Sequence, residues 1–231
     1  MLLKSNLTAC AFRMLKYFFV STTVFFASVF ALASCSAGND DGCICIVLPS
    51  REDFSRAGLS AARTATDLYL ISVFITGDYE AKKTIPVTED DEHKVLSVTF
   101  DKIPAGAKVR VACGLVAPAE GQGVVGIGDE ITVLGGQEQN ASVKLRKIKF
   151  ETTDTGGQIV YYIEDSPYEQ IISLPSVCTY KFTYTPSSGG TETVYETSYP
   201  YFTDSSATTG EKVAIIFCNG TEILKISITT A

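Results

Sequence analysis

Short strand-like segments separated by turn residues follow one another along most of this chain, and this pattern constrains its fold most strongly. Beyond residue 42 apolar residues recur at period two, and no segment shows the 3.6-residue period of an amphipathic helix. Turn residues separate the segments, for example Gly77-Asp78, Pro104-Ala105-Gly106 and the stretch 126–129. Many short strands at this spacing are typical of antiparallel sandwiches, so we predict an all-β fold.

The predicted strands fall into two units, a β-sandwich domain at residues 43–148 and a second β-rich, sandwich-like domain at residues 149–231. The strands predicted in the first unit are residues 43–48, 67–76, 82–87, 95–100, 108–116, 130–134 and 142–148. Those predicted in the second are residues 158–163, 169–174, 177–185, 192–198, 212–219 and 222–229. No Gly/Pro-rich linker separates the units, so we expect them to pack directly on each other.

Alternation within the strands predicts which side chains form the two cores. Lys108 and Arg110 point outward, whereas the residues between and after them point inward, because successive side chains of a strand face opposite ways. The predicted first core contains Val109, Val111, Cys113, Val133, Val143 and Leu145. The predicted second core contains Phe182, Ile215 and Phe217, and the apolar run 213–217 predicts a strand covered on both faces.

The N-terminus has the organisation of a secretory signal. Residues 17–34 form an uncharged apolar span, and Lys4, Arg13 and Lys16 precede it. A retained transmembrane helix is the alternative, since about 18 residues are enough to span a bilayer. Translation from Met14 instead of Met1 would give a shorter signal of the same kind.

The end of this span, Leu32-Ala33-Ser34-Cys35, resembles the lipobox of bacterial lipoproteins. The resemblance implies a signal peptide at residues 1–34, cleavage between Ser34 and Cys35, and attachment of acyl chains such as palmitate to the Cys35 sulfur. Residues 35–42 are small and polar after the cysteine, so we predict a flexible lipidated tether there. By the sorting pattern of familiar Gram-negative lipoproteins, Ser36 favours the outer membrane as the location. The periplasmic and the surface-exposed orientation both stay open.

A second resemblance covers residues 43–148. The sequences FDKIPAGAKVRV and GDEITVLGGQEQNASVKLRKI are similar to the end of transthyretin-like or immunoglobulin-like domains. Such domains occur in spirochaete lipoproteins and in fimbrillin-type subunits of anaerobic bacteria. The resemblance implies an immunoglobulin-like sandwich in an envelope protein.

The net charge of the chain argues against nucleic acid as a partner. The chain carries a net charge of −7, and removal of the basic signal makes it more acidic, so nucleic acid is not a predicted partner.

Apart from Cys10 and Cys35, five cysteines remain, so at least one stays outside an intramolecular pair. We predict that Cys113 and Cys178 are buried as small apolar residues. Cys43-Ile44-Cys45 lacks the spacing of a zinc site.

The sequence offers no motif for catalysis. The one histidine, His93, follows a run of acidic residues, and we interpret this segment as a solvated charged turn. No nucleophile elbow, phosphate-binding loop or zinc-protease motif is present. We therefore predict no enzyme activity, no catalytic residues, no metal site and no cofactor.

A tyrosine-rich segment is the best candidate for a binding surface. It contains Tyr195, Tyr199, Tyr201 and Phe202, although tyrosine is also frequent in any half-buried strand. We predict a lipid-anchored, non-enzymatic binding, adhesion or structural module whose partners are the membrane and a protein or glycan ligand. The alternative is a fimbrial assembly subunit, in which cleavage after Arg56 or Arg63 releases strand 43–48 for strand exchange.

Overall fold

The computed structural model describes residues 41–48, 69–87, 96–117, 119–166, 168–204 and 209–230. These residues form strands and turns without a helix, which confirms the predicted all-β fold. In this part of the chain no helix has the length and apolar character needed to cross a membrane. The strands are β1 Asp41–Leu48, β2 Tyr69–Gly77, β3 Ala81–Val87, β4 Leu96–Pro104, β5 Lys108–Val116, β6 Gln122–Thr132, β7 Glu138–Ser142, β8 Leu145–Asp154, β9 Ile159–Asp165, β10 Gln170–Ile171, β11 Cys178–Pro186, β12 Thr193–Thr197, β13 Tyr201–Asp204, β14 Gly210–Cys218 and β15 Thr221–Thr230.

The strands form three sheets. The front sheet has the order β4-β1-β7, and the back sheet has the order β12-β11-β14-β15. The central sheet has the order β10-β9-β8-β6-β5-β2-β3, and β13 also pairs with β9. All strand pairs are antiparallel except β1 with β7, which are parallel. The described residues therefore form one large sheet and two smaller ones.

Two hydrophobic cores lie on opposite faces of the central sheet. Val73 and Val111 belong to the first core, together with buried residues of the front sheet such as Ile44. Phe74 and Ala112, the next residues on the same two strands, belong to the second core with buried residues of the back sheet. Because neighbouring residues of a strand face opposite ways, the central sheet is covered on both faces at β2 and β5.

The predicted core residues are found in their predicted cores with two exceptions. The first core contains the predicted valines and Cys113, and Leu145 packs against it. Phe182 is completely buried in the second core. On β14, however, Ala214, Ile216 and Cys218 face the second core. Ile215 is buried on the other face of the strand and Phe217 is only half-buried there, because both have the opposite parity.

The central sheet crosses the predicted domain boundary. Residues 148 and 149 lie in the middle of β8, which pairs with β6 on one side and with β9 on the other. Strands from both predicted units therefore belong to one sheet. The two sandwiches share this sheet instead of meeting as separate domains.

Several strand boundaries differ from the predicted ones. Strand β6 begins at Gln122 and passes through residues 126–129, which were expected to turn, and β13 was not expected. The predicted strand at 142–148 divides between β7 and β8, and the one at 169–174 shortens to β10. Strand β1 begins at Asp41, so Asp41 and Gly42 pair with Pro104 and Ile103 instead of belonging to the tether. The remaining predictions for the N-terminus concern residues 1–40, including Ser34 and Cys35, and these residues lie outside the described ones.

Candidate binding surface

The tyrosine-rich segment crosses from one sheet to another. Strand β12 is an edge strand of the back sheet, whereas β13 pairs with β9 of the central sheet. Residues 198–200 make the crossing, and hydrogen bonds hold both ends of it. The Tyr199 amide donates to Thr197 Oγ1 at 3.0 Å, and the Ile163 amide donates to the Pro200 carbonyl at 2.9 Å. The segment is therefore attached to both sheets.

Two of the four predicted surface residues face inward. The rings of Tyr195 and Phe202 stack with centroids 3.8 Å apart and pack against the second core. Tyr195 Oη donates a hydrogen bond to Asp204 Oδ2 at 3.0 Å. Burial is the largest cause that raises the pKa of Tyr195, and the hydrogen bond to Asp204 raises it further. The contact between these two rings connects β12 to β13, so their role is structural.

The other two predicted residues face solvent. Tyr199 is 60% exposed and Tyr201 is 44% exposed. Their ring centroids lie 5.7 Å apart with a 36° angle between the ring planes. They form an open aromatic pair at the corner between the sheets, and of the predicted four they are the residues positioned to meet a ligand.

The open face of the central sheet continues this aromatic pair. Tyr201 is directly opposite Tyr162 on β9, and Tyr162 is directly opposite Glu151 on β8. Residues paired across antiparallel strands share a face, so the three side chains form one row. Tyr162 Oη donates to Glu151 Oε2 at 3.2 Å, and Glu151 also forms an ion pair with Lys149. We name Tyr199, Tyr201, Tyr162, Glu151 and Lys149 the tyrosine surface.

Sequence reasoning missed the second half of this surface. Tyr162 is remote in sequence from Tyr201, and only the pairing of β9 with β13 brings them together. A signal was present in the Tyr161-Tyr162 pair, since alternation places one ring inside and the other outside. Tyr161 is buried in the second core and Tyr162 is half-buried on the open face.

A shallow depression borders the same crossing on the outward face of the back sheet. Its volume is about 360 Å³, and Lys181, Glu196, Ser198 and Phe217 are among the residues that line it. Lys181 Nζ and Glu196 Oε1 lie 3.9 Å apart across β11 and β12. Polar and charged groups thus lie on both sides of the exposed aromatic pair.

The surface combines apolar area with hydrogen-bonding groups. Flat tyrosine faces offer apolar contact, and their hydroxyl groups, the Glu151 carboxylate and the Lys149 ammonium group offer hydrogen bonds. Within the described ranges no three His, Cys, Asp or Glu side chains are grouped so that they could hold a metal ion. The acidic run with His93 lies outside these ranges.

Comparison of the chain with protein-family models and with curated protein sequences gives no match. The turn in the FDKIPAGAKVRV motif is nevertheless well defined in the structure. It joins β4 to β5, the Ala107 amide donates to the Pro104 carbonyl at 3.2 Å, and Gly106 has a φ of 83°. A left-handed residue at this position favours glycine, which accounts for that part of the motif.

Proposed function

We propose that this protein is a lipid-anchored lipoprotein of the bacterial cell envelope and acts as a non-enzymatic binding or adhesion module. The ligand, a neutral glycan or a protein, contacts the tyrosine surface. The observation that carries the binding proposal is the exposed pair Tyr199 and Tyr201, held at a fixed corner between two sheets. The anchoring proposal rests on the motif at residues 32–35.

The attachment of the exposed pair to the fold supports a binding role. Large aromatic side chains supply contact area with little loss of conformational freedom, and they are enriched at interfaces. The crossing is fixed on one side by the stacked rings of Tyr195 and Phe202 and on the other by the Pro200 carbonyl. Such preorganisation lowers the entropy lost when a ligand binds.

The charge of the tyrosine surface and of the whole chain limits the chemical classes of ligand that fit. Glu151 and Lys149 pair with each other, so the tyrosine surface has no strong excess of either sign. The net charge of −7 opposes polyanions such as nucleic acid. An uncharged saccharide ring stacked on tyrosine, or an apolar protein side chain, fits this environment.

The position of β1 favours a tethered module over a strand-exchanging fimbrial subunit. Strand β1 lies between β4 and β7 and pairs with both. Ile44 and Ile46 of this strand are completely buried in the first core. Its release would break two strand pairs and open that core. Arg56 and Arg63, the predicted cleavage points of the alternative, lie outside the described residues.

The anchor is tested by Cys35→Ser in cells. Loss of the acylated sulfur should move the protein out of the membrane fraction and abolish incorporation of a palmitate analogue. The Cys10→Ser variant is the control, because it removes a cysteine of the signal and should keep both label and membrane association. If the Cys35→Ser variant still sediments with membranes, residues 17–34 are a retained helix and the anchoring proposal fails.

The tyrosine surface is tested with the Tyr199→Ala/Tyr201→Ala double variant of the full chain in detergent. The probes are an array of neutral oligosaccharides and a set of immobilised envelope proteins. A probe that binds the wild type should bind the double variant at least about tenfold more weakly, equivalent to about 1.4 kcal/mol. Leu70→Ala is the control, since Leu70 is exposed on β2, near the opposite edge of the central sheet. Equal binding by the wild type and the double variant would refute the role of this surface.

A further inference from the structure

Two cysteines face each other at the end of one strand pair in the back sheet. Cys178 is the first residue of β11 and Cys218 is the last residue of β14, and the two are directly opposite. The other three described cysteines have different neighbours: Cys113 is opposite Val73 and Gly126, Cys45 is opposite Thr99 and Asn140, and Cys43 is opposite Glu138. Among the strand pairs that the structure describes, only this one places a cysteine opposite a cysteine.

The hydrogen bonds around the pair identify which kind of antiparallel site it occupies. The Asn219 amide donates to the Val177 carbonyl at 3.1 Å, so the bond lies just outside the two cysteines. The Cys178 amide donates to the Pro175 carbonyl at 2.9 Å and not to Cys218. This is the pattern of a non-hydrogen-bonded pair, in which the Cα atoms lie about 4.5 Å apart and the side chains are closest. Disulfides accept Cα separations of about 4.4–6.8 Å.

Both thiols are buried inside the second core. Cys178 is 2% exposed and Cys218 is 0% exposed, and their side chains start from directly opposite positions on β11 and β14. Hydrogen bonds that Cys178 and Thr76 can donate to a Cys218 thiolate lower the pKa of Cys218. Thr76 Oγ1 lies 3.5 Å from Cys218 Sγ and accepts a hydrogen bond from Asn219 Nδ2 at 3.2 Å. By contrast, burial raises the pKa of the lone Cys113 thiol to about 12.

We propose that Cys178 and Cys218 form a cross-strand disulfide bond. The oxidant is a disulfide donor, either a small molecule or a protein. Cys218 loses its proton, and its thiolate attacks one donor sulfur; the S–S bond of the donor breaks, and the other donor sulfur takes up a proton and leaves as a thiol, which gives a mixed disulfide. Cys178 loses its proton and attacks the protein sulfur of this mixed disulfide, which releases the second donor thiol. Two cysteine thiols are thus oxidised, and one donor disulfide is reduced to two thiols.

The proposed disulfide bond would close a loop that includes part of the tyrosine surface. The chain between the two cysteines contains β12 and β13, so the bond closes the loop that carries Tyr199 and Tyr201. Because both sulfurs are buried, exchange takes place while β11 and β14 come together or when their ends open. The proposal does not depend on the anchoring or binding proposals, since it concerns only the sheet.

The test uses the full chain, purified in detergent under reducing conditions and then equilibrated with oxidised glutathione. Free thiols are blocked with N-ethylmaleimide in denaturant, and the protein is digested with trypsin without reduction. Cys178 and Cys218 lie in the tryptic peptides 150–181 and 213–225, which contain no other cysteine. Mass spectrometry should find these two peptides linked, with the loss of two hydrogen atoms, in the wild type and in the Cys113→Ala control.

Thermal unfolding provides a second measurement. The oxidised wild type and the oxidised Cys113→Ala variant should melt at a higher temperature than their reduced forms, because the bond restricts the unfolded chain. The Cys178→Ser/Cys218→Ser variant should melt at one temperature under both conditions. Recovery of both wild-type peptides as blocked monomers after equilibration with the donor would overturn the proposal. So would linkage of either cysteine to a different one.

Discussion

Gly114 on β5 allows the central sheet and the back sheet to approach each other closely. A Cβ atom at this position would lie 2.0 Å from the backbone carbonyl oxygen of Ile223 on β15. This separation is 1.0 Å shorter than the 3.0 Å below which real Cβ contacts are essentially not found. The obstacle is a backbone atom, so no side-chain rotation can relieve the clash. Gly114→Ala therefore requires the two sheets to separate locally.

The loss of stability follows from that separation. A gap of about 0.5–1 Å forfeits a quarter to a half of the dispersion energy of each contact. Inserting one extra carbon into a packed core typically costs about 1–3 kcal/mol, and we expect the upper end because both sides are backbone. Gly114→Ala should therefore lower the free energy of unfolding by about 3 kcal/mol. Urea titration followed by circular dichroism measures this difference.

Gly128→Ala on β6 is the matched control. A Cβ atom there would meet its nearest neighbours at 3.4–3.7 Å, which is ordinary van der Waals contact. Since glycine in a strand is about 0.5–1 kcal/mol less favourable than alanine, this variant should be as stable as the wild type or slightly more stable. If Gly114→Ala matched the Gly128→Ala variant in stability, the close approach of β5 and β15 would be refuted.

Three further predictions concern the second core. Phe182→Ala should lower the free energy of unfolding by about 3–5 kcal/mol, because the ring is completely buried beside Phe150 and Tyr161; a loss below about 1 kcal/mol in a urea titration would contradict this packing. Tyr161→Phe should leave stability unchanged or raise it by about 1 kcal/mol, because the buried hydroxyl has no hydrogen-bond partner among the described residues; clear destabilisation would show that the hydroxyl is satisfied. Burial also raises the pKa of Tyr161 and Tyr180, so the folded state retains their protons more strongly than the unfolded chain does. Their contribution is complete below a pH of about 10, the ordinary tyrosine pKa, and is lost as pH rises above it; a Tyr180→Phe variant with the same alkaline unfolding profile as the wild type would argue against this.

Local alternation was enough to predict most of the two cores, although not the parity of Ile215 and Phe217, because alternation relates each residue of a strand only to its neighbours in sequence. This reasoning placed Val109, Val111 and Phe182 correctly. The sequence prediction also failed at a glycine, because glycine occurs both in turns and inside closely packed strands. Gly126 lies inside β6, where a Cβ atom would meet Val143 Cγ1 at 2.5 Å, so the residue permits close packing and does not mark a turn.

Pairing between distant strands could not be predicted from alternation. The parallel pair β1 and β7 and the pair β9 and β13 join segments far apart in sequence. The tyrosine surface depends on the second of these pairs, since Tyr162 joins Tyr201 only across it. The sequence therefore predicted the exposed tyrosines but not the face on which they lie, nor that Tyr195 and Phe202 would turn inward.

The shared central sheet predicts that both cores unfold together. Ile46 is completely buried in the first core, and Ile46→Ala should remove about 2–5 kcal/mol of stability. The chain has no tryptophan, and several of its tyrosines, such as Tyr161 and Tyr180, lie in the second core, where tyrosine fluorescence reports on unfolding. Amide hydrogen exchange of β1 reports on the first core.

If the cores are coupled through β2, β5 and β6, the Ile46→Ala variant should lower the urea midpoint of both signals equally, in one two-state transition. The physical reason is that loss of the first core exposes one face of the sheet whose other face forms the second core. Separate transitions, with β1 exchanging before the tyrosine signal changes, would show instead that the central sheet survives without the front sheet. The unit that unfolds first would then be the front sheet β4-β1-β7 and not residues 43–148, because β2, β5 and β6 would stay folded in the central sheet.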